Sequence, residues 1–212
     1  PARCSALIPV EGGDTQTACW MSPLPKKGQI KGRVVDRWGS PLLGARVELI
    51  GPSSVLAITD ANGIFQQDEV RAGEYTIRVN ADGYLIRVST AKVPVRGSVS
   101  TDLIVTAKPS PSKVSLEGSS VSITEGIGFL PGSSEPDPAA SPIIAELVDL
   151  LLRNPQLARI RIEGPTEGAL GDGIMPLNRA AAIKARLVAA GVSEDRIEAA
   201  GGKSPRLQIT VE

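Results

Sequence analysis

The chain of 212 residues has no histidine. That excludes Ser-His-Asp and Cys-His catalysis, histidine-containing zinc sites and imidazole pH switching. Its two cysteines, Cys4 and Cys19, are too few for a four-thiolate metal site within one chain. An enzyme made from this composition needs paired carboxylates, a lysine or an isolated nucleophile. The adjacent acids Asp68-Glu69 and Glu194-Asp195 need not converge on a substrate, and Glu194-Asp195-Arg196 reads as a solvated turn. Gly126-x-Gly128 lacks a nucleotide-binding continuation. No cofactor and no metal are expected. Lys plus Arg and Asp plus Glu both number 23, so the formal charge is zero. That balance argues against a nucleic acid, or an anionic membrane, held by bulk electrostatics. No apolar run approaches the roughly 20 residues that span a bilayer.

Turn formers and an apolar core are plentiful. The chain has 22 Gly and 17 Pro, and 42% of its residues are hydrophobic. Residues 1–27 read as an irregular arm. A Cys4–Cys19 disulfide, closing a short loop in an oxidising compartment, is one reading of that arm. Two unrelated free thiols is the other. From Gly28 the grammar changes to short Val-, Ile- and Thr-rich runs with period-two alternation: GQIKGRVVD, ARVELIG, SVLAITD, GIFQQDEV, GEYTIRVNADGY, LIRVSTAKVPV and SVSTDLIVTA. Turn signals such as Asp60-Ala61-Asn62-Gly63 separate them. Seven short strands in this span predict an antiparallel β-sandwich over 28–108. The Pro- and Ser-rich residues 109–112 read as an extended linker.

Residues 113–212 follow an α/β grammar. VSLEGSSVSI reads as a strand, followed by a loop rich in Pro, Gly and Ser. Ser141-Pro142 is a helix start, with serine as the cap and proline at the first helical position. Ile143, Ile144, Leu147, Leu150 and Leu151 form the apolar face of that helix, which Asn154-Pro155 ends. ARIRIEG reads as a strand. A second helix from about Leu177 to Ala190 ends at Gly191, and two strands close the chain. The predicted order is βαβαββ, with the helices on one face of a small sheet.

Two family resemblances rest on these residues. GRVVDRWGSPLLGARVELIG, ITDANGIF and VRAGEYTIRVNADGY resemble the carboxypeptidase regulatory-like domain, a transthyretin-type sandwich. That resemblance implies a spacer or an interaction module without catalysis. Residues 113–212 resemble the OmpA-like domain of envelope proteins, through SITEGIGFLPGSSEPDPAASPIIAELVDLLLRNPQLARIRIEGPTE and RAAAIKARLVAAGVSEDRIEAAGGKSP. The family reads Gly-His-Thr-Asp after the second strand and Leu-Ser-x-x-Arg-Ala at the next helix. Its aspartate takes the ammonium of diaminopimelate, and its arginine takes the carboxylate. Here Thr166 and Arg179 keep their places, Glu167 stands at the aspartate, Pro165 at the histidine, and Asn178 precedes the arginine. The loop between them is short, and the Leu-Ser pair is missing. Asn178 or Pro176 takes over the helix start. Asp172, between two glycines, reads as a turn residue or as a replacement carboxylate, and Ser133-Ser134-Glu135 as a flexible loop or as a contact for a peptide stem.

The resemblances imply a non-catalytic periplasmic protein, associated with the outer membrane or wall of a diderm bacterium. Its partner is then peptidoglycan, through Thr166, Glu167, Asn178 and Arg179, or another envelope protein, with the sandwich as spacer or docking module. Two alternatives remain open. One is a protein-interaction scaffold that has lost the peptidoglycan pocket. The other is a noncatalytic segment of a larger envelope enzyme.

Overall fold

A computed structural model describes residues 26–118, 120–166 and 174–211. Cys4 and Cys19, Glu167 and Asp172 therefore lie outside the described residues.

The first unit is a β-sandwich of seven strands: β1 (Lys27–Val35), β2 (Arg46–Ile50), β3 (Val55–Ile58), β4 (Ile64–Arg71), β5 (Gly73–Asn80), β6 (Arg87–Val93) and β7 (Ser98–Ile104). One sheet has the order β4-β1-β7 and the other β3-β2-β5-β6. Period-two alternation sends Val47 and Leu49 of β2, and Tyr75, Ile77 and Val79 of β5, into the space between the sheets. Ile30, Val34, Phe65 and Leu103 meet them from the other side. The tight corner after β3 is set by Asp60, whose Oδ1 accepts the N–H groups of Asn62 at 2.9 Å and Ile64 at 2.8 Å. Gly63 completes it at φ +72°, with the Val34 carbonyl 2.4 Å from where a Cβ would stand.

The pairing is not antiparallel throughout. β1 and β7 run parallel, in register from Gln29 beside Ser98 to Val35 beside Ile104. Alternation within a strand carries no information about the direction of its neighbour, so this pairing was not readable from the runs. β7 reaches β1 by crossing from the opposite sheet after β6, which frees it from the geometry of a hairpin.

The second unit contains β8 (Val114–Glu117), β9 (Ser120–Ile123), α1 (Ser141–Arg153), β10 (Ile160–Gly164), α2 (Met175–Ala189), β11 (Ile197–Gly201) and β12 (Gln208–Val211). Its sheet order is β11-β10-β12-β9-β8. The run expected as one strand, VSLEGSSVSI, is a hairpin, with Gly118 at positive φ directly after the first strand. Ile160 and Ile162 of β10 and Ile209 of β12 share one core with the buried residues of both helices. Arg161 and Glu163 take the alternate positions, and Arg161 Nη1 lies 2.9 Å from Glu198 Oε1 across the pair.

Two local expectations are corrected. Ser141 is the first residue of α1, and it does not cap the helix. A 3-10 turn, Pro138–Ala140, runs directly into α1, and Asp137 caps that turn by accepting the Ala139 N–H at 2.7 Å. Arg196 is likewise not part of a solvated turn. Its Nη2 donates to the carbonyls of Leu151, Asn154 and Leu157 at 3.2, 3.0 and 2.8 Å, where α1 leaves carbonyls without helical partners.

Helix α1 carries two acids where a purely apolar face was expected. Glu146 and Asp149 are 3% and 1% exposed. Glu146 Oε2 receives the Ser112 hydroxyl at 2.6 Å and the Lys113 N–H at 2.8 Å. Asp149 Oδ1 receives the Ile86 N–H at 2.8 Å and Arg153 Nε at 2.8 Å. Its Oδ2 lies 3.5 Å from Lys108 Nζ. Arg153 continues the network to Asn80 Oδ1 at 2.8 Å and the Tyr84 carbonyl at 2.7 Å. The stretch between the two units is therefore tied to α1 at both ends, and the sandwich is tied to the same helix. Ile86 and Val88 add apolar contact by packing against the second core.

Removing one member of such a buried set leaves the others desolvated. Asp149→Ala is expected to cost about 3–5 kcal/mol in urea unfolding. Small-angle scattering of the folded variant should show a larger radius of gyration, as the two units separate.

Candidate functional site

The stretch joining β10 to α2 carries the residues singled out for ligand binding. Gly164 ends β10 with the Pro176 carbonyl 1.8 Å from the position of a Cβ. Only a glycine lets the strand press its backbone against the first turn of the helix. Gly202 closes the other side by donating its N–H to the Gly164 carbonyl at 3.1 Å. Thr166 follows as a half-buried residue whose N–H donates to the Ser204 carbonyl at 2.9 Å.

Helix α2 begins at Met175, two residues earlier than expected. Pro176 lies in its first turn, where a missing N–H costs no helical hydrogen bond. Asn178 does not cap the helix. It is exposed inside the first turn, and its N–H donates to the Ile174 carbonyl at 3.0 Å.

Arg179 is 1% exposed. Its Nε donates to the Ser133 carbonyl at 3.2 Å, and its Nη1 donates to the Pro165 carbonyl at 3.3 Å. The guanidinium carbon stands 5.2 Å from the centre of the Phe129 ring, within cation–π range. These are among its contacts, and they join three segments: the loop before α1, the exit of β10 and the start of α2. The same loop is held a second time, with Glu135 Oε1 lying 3.6 Å from Arg186 Nη2. Within the loop the Glu135 N–H donates to Ser133 Oγ at 3.0 Å. Thr166, Ser133 and Arg179 are thus gathered at one end of the sheet. Asn178 faces away to solvent, and Glu167 lies outside the described residues.

Sequence reading missed the groups that tie the units together. Glu146, Asp149 and Arg153 fall at i, i+3 and i+7, one polar stripe on a helix whose other buried positions are apolar. That spacing was the available signal. Among the described residues, no group of three or more acids or cysteines gathers in a way that would hold a metal ion. No helix among them is long and apolar enough to cross a membrane.

Residues 29–107 match the family model of the carboxypeptidase regulatory-like domain. No curated protein matches the chain. Similar solved structures include the Bacillus anthracis TIE protein, at 18% identity and a TM-score of 0.36, over 39% of this chain and 17% of that one. A DUF3823 family protein from Parabacteroides merdae is 18% identical with a TM-score of 0.33, over 46% and 55%. The minor pilin of Streptococcus agalactiae is 18% identical with a TM-score of 0.37, over 43% and 49%. The chain spans less than two thirds of the length of each of these three proteins. Likeness at this level assigns no activity.

Two substitutions test the local geometry. Gly164→Ala has no room for its methyl group and is expected to cost about 1–3 kcal/mol or more. Arg179→Ala leaves two main-chain carbonyls without their donor and is expected to cost about 2–4 kcal/mol. An arginine serving only as an exposed ligand clamp would change stability by under about 0.5 kcal/mol. Urea denaturation of both variants separates the two cases.

Proposed function

We propose that the chain is a non-catalytic interaction scaffold of the bacterial cell envelope, a periplasmic docking module in a diderm organism. Its second unit is a divergent OmpA-like domain, and its sandwich is a spacer or second docking face. The OmpA-like assignment draws support from the Gly-Pro-Thr stretch at the end of β10, the arginine near the start of α2, and a mixed sheet with β10 and β11 parallel. The scaffold role rests on one observation: the Arg179 guanidinium is buried and committed to the carbonyls of Ser133 and Pro165. An arginine used in this way holds two loops in place. Two of its five N–H donors serve those carbonyls, and its burial favours a positioning role for this side chain over that of an open ligand clamp.

Peptidoglycan contact is the other reading of the same resemblance, and it calls for Thr166, Glu167 and Arg179 to converge on one amino acid. Co-sedimentation with purified sacculi distinguishes the two. The full chain should stay in the supernatant, with no change on adding diaminopimelate. Sedimentation that free diaminopimelate competes away, and that Arg179→Lys abolishes while leaving the fold intact, would replace the scaffold reading with wall binding. A lysine keeps the charge there but lacks the planar fork that two acceptors require.

A further inference from the structure

A cavity of about 470 Å³ lies between the two units, and Arg179 is not among its lining residues. Ile86 and Val88 of the sandwich form one wall, and Val148 of α1 and Ala189 of α2 form the other. Arg87 and Arg186 line it as well, and no carboxylate is among the lining residues. Its volume falls within the range of about 300–1,000 Å³ of small-molecule pockets, which favour domain interfaces.

The walls are fixed before any ligand arrives. The bond from the Ile86 N–H to Asp149 holds the β6 side at one end. At the other end Val88 closes on Gly191, with its Cγ1 3.0 Å from the position of a Cβ there. A preorganised groove of this kind loses little on binding. Its chemistry is two-sided. The lining is branched aliphatic chains and alanine, with no aromatic face on which a sugar or a base would stack. Both charges are guanidiniums. Arg87 is exposed and enters no ion pair among the described residues. Among the described residues, the ion-pair partner of Arg186 is the exposed Glu135, at 3.6 Å.

The geometry points to a binding site for an aliphatic monocarboxylate. The chain lies against Ile86, Val88 and Val148, and the carboxylate sits on Arg87 and Arg186, displacing the long contact to Glu135. Guanidinium matches a planar carboxylate through two parallel donors, and an apolar floor raises the strength of that pair. A medium-length acid fills the groove, whereas acetate leaves the floor empty and an alcohol leaves the guanidiniums unmatched.

The test uses the full chain, with methyl groups labelled for NMR, and three probes: octanoate, octan-1-ol and acetate. Octanoate should shift the methyl signals of Ile86, Val88 and Val148 in a saturable way. Octan-1-ol and acetate should bind at least about tenfold more weakly. Arg87→Gln, at an exposed position, should weaken octanoate binding about tenfold to a hundredfold, the loss of one charge-assisted hydrogen bond. Ala189→Phe, also exposed, should fill the mouth and abolish binding. Equal affinity for octan-1-ol, an unchanged affinity in Arg87→Gln, shifts confined to other methyl groups, or no shift at millimolar octanoate would each overturn the assignment.

Discussion

Asp149 holds a full carboxylate almost out of contact with water, and three groups from different parts of the chain converge on it. The Ile86 N–H comes from the sandwich, Lys108 from the connecting stretch, and Arg153 from the next turn of the same helix. A buried carboxylate persists only when hydrogen bonds and opposite charge offset its lost hydration. The position of one unit relative to the other is therefore the condition under which this charge is tolerated. The groove between the units inherits its shape from the same bond, because Ile86 is both the residue that Asp149 fixes and part of the groove wall.

Much of the sandwich was legible because its strands alternate and its corners carry turn residues with a mechanism. Asp60 and Gly63 mark a corner in the sequence for the same reason they build it in space: a short acceptor side chain and a backbone free to take positive φ. The direction in which β7 runs beside β1 was not legible, since strand pairing across a sandwich is decided by the chain's crossings between sheets. The hairpin of β8 and β9 was hidden for a simpler reason. Two strands of four residues, separated by two positions that begin at Gly118, look like one strand of ten.

The polar interior was the least legible part. An apolar face predicts where a helix packs, but it does not say that an acid three residues away will also be buried. Glu146 and Asp149 go in because the connecting stretch and the sandwich bring donors to them, and those donors lie more than thirty positions away in sequence. Arg179 poses the reverse problem. The resemblance implied a ligand-binding role for its charge, and burial of the side chain was not legible from the sequence. Its burial, and its bonds to Ser133 and Pro165, follow from how closely the bare Gly164 lets strand and helix approach. Arg196 shows the same limit, since an arginine beside two acids reads as solvated until the carbonyls at the end of α1 are seen within its reach.

The parallel pairing of β1 with β7 has a mechanical corollary. The chain enters the sandwich at one end of this pair and leaves it at the other. Tension applied along the polypeptide would therefore slide the two strands past each other, loading the rungs from Gln29 to Ile104 together. An antiparallel hairpin pulled at its open end would lose its rungs one after another. In such a shear arrangement the rungs share the load, so they must break together.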